Sequence, residues 1–209
     1  MVDVLNALTV LGNFLIIPGL TYGSQLALGA LGVTLVYGVL RFSNFAHGET
    51  MAFGAMITIL VTWALQAAGI SIQPLPTALL AIPVGIAVTV LLTLLIDRFV
   101  YRYHRERKAN PVIFLIVSIG VMFFMGGLIR FMIGPGDQIF FDGTRFILKA
   151  REFKQMTGLD EGLSLRMTQA VTIITAVIIV AAMFWFLNHT RTGKSMRAYS
   201  DNENLALLS

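Results

Sequence analysis

Five long apolar runs, separated by short polar clusters, organise this chain. They cover residues 14–40, 50–68, 76–96, 111–133 and 167–187. Each reaches the roughly 20 mostly apolar residues that a helix needs to cross a hydrocarbon core. The first run extends further back, because Asp3 is the only charged residue before Arg41. That is too long for one ordinary crossing. Pro18-Gly19 predicts a split into an interfacial helix over 4–17 and a spanning helix over 20–40. Only a tight connection fits between the first two runs, at 41–49, whereas 134–166 is a long connection.

Composition fixes the solvent of these runs. The chain has 209 residues, 56% hydrophobic and 12% charged, with a mean hydropathy of +0.80. Soluble domains carry about 25% charged residues, so a soluble globular enzyme is excluded, and disorder with it. The absence of cysteine excludes a disulfide framework, a thiolate metal site and a cysteine nucleophile. The fold class predicted is all-α: a polytopic membrane helix bundle of about five spanning helices forming one transmembrane domain over 1–209. A cleavable leader is not expected, since the start lacks a basic n-region and a clear cleavage site. Five crossings followed by a stop at Ser209 predict a chain truncated at its C-terminus.

The net charge of +4 reads as Lys and Arg placed by topology rather than as a nucleic-acid surface. Arg41, Arg98, Arg102, Arg105, Arg107, Lys108, Arg191, Lys194 and Arg197 fall on one side by parity. Arg145, Lys149, Arg151, Lys154 and Arg166 fall on the other. The richer side is assigned to the cytoplasm.

Polar residues within or beside a span need a physical reason. The densest group is Arg41-Phe-Ser-Asn-Phe-Ala-His-Gly-Glu49, and two readings fit it. In one it is a cytoplasmic hairpin, with Arg41 at the headgroups, Asn44 capping the next helix and Glu49 at that helix's positive end. In the other it is a helix break buried in protein, with Asn44, His47 and Glu49 lining a pathway. Gly19, Gly23, Gly29, Gly32 and Gly38 mark the first helix as one that packs closely, with a pathway role for the same face as the alternative. Arg130 is expected to snorkel at the outer end of the fourth span.

Catalytic and metal patterns are not found. His47, His104 and His189 have no ligand spacing, and no Ser/His/Asp order or paired intramembrane carboxylates occur. Thr192-Gly-Lys-Ser195 resembles the end of a phosphate loop, but Asn188 stands where its first glycine is required. Neither an enzyme nor a bound cofactor or metal is therefore expected.

Residues 190–209 form a polar tail to the fifth span. Gly193 is expected to loosen the exit from the membrane, Lys194 to Tyr199 to form a short basic helix, and Asp201 to cap a second. Leu205, Leu207 and Leu208 give that second helix an apolar side. Docking into a groove on a soluble partner and resting on lipid are both compatible with this pattern.

Two stretches carry a family resemblance. Leu35-Val-Tyr-Gly-Val-Leu-Arg-Phe-Ser-Asn-Phe-Ala-His-Gly-Glu49 resembles the signature of permeases of branched-chain amino acid ABC importers, the LivH type. Arg191-Thr-Gly-Lys-Ser-Met-Arg-Ala198 and Asp201-Asn-Glu-Asn-Leu-Ala206 resemble that family's cytoplasmic coupling loop. The chain departs from it at Asn202, where proline is usual, and at Ser209, beyond which the family continues with a glycine and further membrane helices.

The resemblance implies a subunit of the bacterial inner membrane that moves branched-chain or related small amino acids or amides. The implied partners are a second homologous permease, two cytoplasmic ATPase subunits, a periplasmic substrate-binding protein, the amino-acid substrate and membrane lipid. It assigns ATPase coupling to Gly193, Lys194, Arg197, Asp201 and Glu203, and favours Asn44, His47 and Glu49 as path or gate. The alternative from another class is a secondary transporter or channel that uses the broken helix at 41–49 for ion coupling. A structural or accessory membrane subunit is a third.

Overall fold

The computed structural model describes residues 2–72, 75–138 and 145–201. Helices dominate: α1 (Val2–Leu11), α2 (Ile17–Leu40), α3 (His47–Ala67), α4 (Ala78–Ile96), α5 (Arg102–Glu106), α6 (Pro111–Ile133), α7 (Ala150–Thr157), α8 (Met167–His189) and α9 (Arg191–Asp201). Among the described residues five helical runs are long and apolar enough to span a membrane, as the hydropathy pattern predicts. The all-α expectation needs one addition, a short antiparallel pair of strands, β1 (Phe146–Leu148) and β2 (Leu165–Arg166).

Two helix boundaries differ from expectation. α1 and α2 are not split at Pro18. They join through a π-helical turn at Gly12–Ile16, in which the N–H of Ile17 reaches the carbonyl of Gly12. A proline inside a helix lacks an N–H and clashes with the preceding turn, and a widened turn just ahead of it relieves both problems. At about 1.5 Å per residue the run from Val2 to Leu40 is about 57 Å long, nearly twice a ~30 Å hydrocarbon core. A second π-helical turn, Asp97–Tyr101, joins α4 to α5, so Arg98, Arg102 and Arg105 ride on a helix rather than in a loop. Arg105 grips Asp97 with two hydrogen bonds of 2.7 and 2.8 Å, and Arg102 pairs with Glu106 at 2.8 Å.

The chain forms two compact units. One comprises 1–31 and 144–209, and the other 32–143. In the first, the N-terminal helix is tied to the segment before α8 by asparagines. Asn13 Oδ1 accepts from both the N–H and hydroxyl of Ser164, at 3.2 and 2.8 Å, and Asn6 Oδ1 accepts from the N–H of Glu161 at 3.4 Å.

The second unit is centred on Phe42, Ala46, Phe53, Met56, Tyr101, Phe114, Val121 and Met125. Its closest helix pair, α3 and α4, meets through a reciprocal exchange. A Cβ on Gly54 would lie 2.9 Å from Thr89 Oγ1, and one on Gly85 would strike Thr58 Oγ1 and stand 3.2 Å from the Gly54 carbonyl. Each threonine thus occupies the space left by the other helix's glycine. Each hydroxyl also donates to a carbonyl of its own helix, Thr58 to Gly54 at 2.9 Å and Thr89 to Gly85 at 2.7 Å. Small residues permit close approach where lipid offers no hydrophobic drive, and back-bonded hydroxyls leave no unsatisfied donor in the bilayer.

This exchange predicts that Gly85→Leu forces the two helices apart. Overpacking of this kind is expected to destabilise by about 1–3 kcal/mol, read as a lower unfolding temperature of the detergent-solubilised protein. Val90→Leu, outside the exchange, should leave that temperature nearly unchanged.

Candidate functional site

The turn between α2 and α3 is folded into the protein. α2 stops at Arg41, whose φ of 57° puts it in the left-handed region, so the chain turns away from the helix axis. Phe42 is then buried, with its ring stacked on Phe114 at 5.1 Å and tilted against Tyr101 at 5.8 Å. The exposed backbone groups are taken up by α6. The N–H of Phe45 donates to Ser118 Oγ at 3.1 Å, while the Ser118 hydroxyl donates to the Leu115 carbonyl at 2.7 Å. Ser118 is fully buried. Irregular backbone in apolar surroundings survives where protein satisfies it, and Ser118 does so for the N–H of Phe45.

Depth follows from where these contacts fall. At about 1.5 Å per residue, Ser118 lies about 10 Å along α6 from Pro111, and Gly126 about 22 Å. The carboxyl group of Glu49 rests against Gly126, where an added Cβ would lie 3.4 Å from Cδ and 3.5 Å from both carboxyl oxygens. The turn and the start of α3 therefore sit alongside the body of α6. Within the turn Phe42 and Ala46 are buried, Asn44, His47 and Glu49 are half-buried, and Arg41, Ser43, Phe45 and Gly48 are exposed.

Asn44, His47 and Glu49 do not converge on one point. Asn44 Oδ1 accepts from the N–H of Ala46 at 3.1 Å and from the hydroxyl of Tyr101 at 3.2 Å. The expectation that Asn44 caps α3 is corrected: Ala46 is the N-cap residue and no side chain caps the helix. Asn44 holds the turn instead, because it stands two residues before the N-cap, too early to reach the first free N–H groups of α3. His47 faces α2, and a Cβ on Gly32 would lie 2.6 Å from its Nε2. That nitrogen is buried and has no hydrogen-bond partner among the described residues. Glu49 faces α6. Three neighbouring polar residues thus address three different elements.

The segment after α8 is a second helix set on a single-residue joint. Thr190 is extended (φ −84°, ψ 151°) and closes α8 while opening α9. Its hydroxyl donates to the Phe186 carbonyl at 2.8 Å and accepts from the N–H of Gly193 at 3.0 Å, the spacing of an N-cap. Gly193 does not loosen this exit, contrary to expectation. It is buried, and a Cβ there would strike the Phe186 carbonyl oxygen and stand 2.7 Å from Leu187 Cα. Only glycine lets α9 fold this tightly against the end of α8.

Lys194 and Arg197 are exposed on α9, and Arg197 Nη1 donates to Asn188 Oδ1 at 2.8 Å. α9 runs unbroken from Arg191 to Asp201, so the expected basic helix is longer than 194–199, and Asp201 stands at its end. The helix expected after Asp201, with Glu203 in its first turn, lies outside the described residues.

Sequence reasoning missed Tyr101, Ser118, Gly126 and Thr190. Of these only Thr190 left a local signal, a threonine three residues before Gly193 at a change of hydropathy. Metal-ligating clusters are absent among the described residues.

Comparison with known proteins places these elements in a family. The family described as branched-chain amino acid transport system, permease component, matches residues 15–209. The high-affinity branched-chain amino acid transport system permease protein LivH of Salmonella typhimurium is 28% identical over 197 residues, 91% of this chain and 59% of its own length. LivH of Escherichia coli K12 is similar to the same extent. BraD of Pseudomonas aeruginosa is 26% identical over 90% of this chain and 58% of its own length. The chain thus spans about three-fifths of the length of the curated relatives it matches. No solved structure matches. With five membrane-spanning helices and a family match that takes in both the buried turn and the segment after α8, this multi-pass membrane chain belongs to the branched-chain amino acid transport permease family.

Proposed function

We propose that this chain forms the membrane pathway of an ABC importer for branched-chain or related small amino acids or amides, in the bacterial inner membrane. The observation that carries the reading is the family match from residue 15 to 209, which includes both 41–49 and 190–209. A second homologous permease, two cytoplasmic ATPases and a periplasmic binding protein complete the assembly. Hydrolysis takes place on the ATPases, and this chain converts their movement into alternating access.

The two parts of the site suit that division of labour. α9, set on Thr190 and locked by Gly193, transmits force from the ATPases to α8 as a rigid arm. Lys194 and Arg197 are its exposed contact residues, and Asp201 and Glu203 are assigned to the same coupling role by the family resemblance. The turn at 41–49 is the gate. Its Asn44 is tied to Tyr101, His47 to α2 and Glu49 to α6, so any movement among these elements must remake one of those contacts. A buried imidazole nitrogen without a partner and a carboxyl resting on glycine are inexpensive to release, which suits a contact made in one state and broken in another.

The test is co-purification of this chain with its cognate ATPases and partner permease, followed by ATPase activity in vesicles with and without loaded binding protein. Substrate-stimulated hydrolysis that is lost on Asp201→Ala or Glu203→Ala supports the importer and its coupling segment. Absence of any ATPase association overturns it in favour of a carrier without nucleotide. Within the assembled importer, Gly193→Leu is expected to reduce substrate stimulation by about 5-fold or more, the lower end of a coupling free energy, while the subunits still co-purify. Glu49→Gln, an isosteric change, is expected to lower the uptake rate of radiolabelled leucine without altering subunit association.

A further inference from the structure

Five basic residues, Arg145, Lys149, Arg151, Lys154 and Arg166, share the connection assigned to the outer side with five acids, Asp137, Asp142, Glu152, Asp160 and Glu161. The proposed import function gives the basic residues no task. They gather on and around α7, and its placement suggests one.

The distance of α7 from the bilayer is set by covalent and hydrogen-bonded links. β2 passes into the spanning helix α8 with no residue between Arg166 and Met167. β1 pairs with β2, Phe146 opposite Arg166, and the N–H of Met167 bonds to the Arg145 carbonyl at 3.3 Å. α7 begins one residue after β1, with Lys149 between them, and its first residue is packed against from the other side. Gly162 leaves space for Ala150, whose carbonyl oxygen would lie 2.6 Å from an added Cβ. The helix is therefore tethered beside the mouth of α8, within reach of the headgroup layer.

Its two faces differ as an interfacial helix requires. At about 100° per residue, Phe153, Met156 and Thr157 share one side, and Arg151 and Gln155 the other. Thr157 spends its hydroxyl on the Phe153 carbonyl at 2.8 Å, which leaves that side apolar. Met156 is 81% exposed, although a methionine so placed covers nothing in the chain itself. Lys149 pairs with Glu152 at 3.5 Å, whereas Arg151 and Lys154 have no ion-pair partner among the described residues. Long basic side chains on such a helix reach sideways to phosphates while the apolar edge enters the acyl boundary.

We infer that α7 is an interfacial helix, seated in the leaflet it faces through Phe153 and Met156 and held there by anionic phospholipid headgroups at Arg151 and Lys154. Eight residues would bind lipid weakly alone. The tether through β2 and α8 makes the insertion intramolecular, so little intrinsic affinity is needed. Such a seat fixes the height and rotation of the outer end of α8 and, through Asn13 and Ser164, of the N-terminal helix.

The absence of cysteine makes the test free of background. Met156→Cys and Gln155→Cys are labelled separately with an environment-sensitive fluorophore in the full chain, both at exposed positions that leave the fold intact. Each is reconstituted into nanodiscs of phosphatidylcholine alone or mixed with phosphatidylglycerol, with a headgroup-proximal quencher lipid. The expected result is blue-shifted, lipid-quenched emission at 156 and aqueous emission at 155, with quenching at 156 increased by phosphatidylglycerol. Adding Arg151→Glu and Lys154→Glu should remove that increase. Aqueous emission at both positions in both lipids overturns the inference and leaves α7 as a surface for a soluble partner. Equal quenching at 155 and 156 also overturns it, since no face would then be selected.

Discussion

The turn at 41–49 interrupts two long apolar helices, and the protein around it supplies partners for its inward-facing backbone groups. Ser118 accepts the N–H of Phe45, Asn44 accepts that of Ala46, and Phe42 is buried with its ring stacked on Phe114. In hydrocarbon an unsatisfied amide costs several kcal/mol. The turn can therefore exist only while α6 lies against it with Ser118 at the correct height. The positions of Tyr101 and Gly126 are set by the same docking, since each meets a side chain projecting from the turn or from the first helical residues after it.

The rest of the second unit is built to keep that docking geometry. α3 and α4 approach through the exchange of Gly54 with Thr89 and Gly85 with Thr58. Because each threonine hydroxyl is spent on its own helix, the pair gains closeness without creating a polar demand. A groove of about 240 Å³ runs beside it, lined by Met51, Ile82, Ile86 and Val90 among others. Rigid pairing on one side and single-point contacts on the other, at Gly32 and Gly126, divide the unit into a part that holds and a part that can be remade.

The ends of the first unit follow a different logic, of joints rather than cores. Thr190 serves as the end of one helix and the cap of the next, and Gly193 allows their backbones to touch. β2 similarly leads into α8 with no slack. α8 is thus joined to α9 through the single residue Thr190, while at its other end the β1–β2 pairing fastens the segment that leads into it. A movement delivered at one end of α8 is carried by the helix itself rather than lost in a loop.

Membrane insertion, the five spans and their approximate limits were legible in the chain, because the cost of burying charge in hydrocarbon acts on each residue independently of its neighbours. The family signatures were legible for a related reason, as they are runs of consecutive residues. Local pattern also found the polar character of Asn44, His47 and Glu49, but not that they point to three separate partners. Their directions depend on Tyr101, Gly32 and Gly126, which are distant in sequence. Pro18 reads as a helix break, yet the π-helical turn at Gly12–Ile16 absorbs it. Gly193 reads as a loosening residue, yet contact with Phe186 makes it a clamp. In each instance the residue's own chemistry was plain, and its consequence was set by what the fold brought against it.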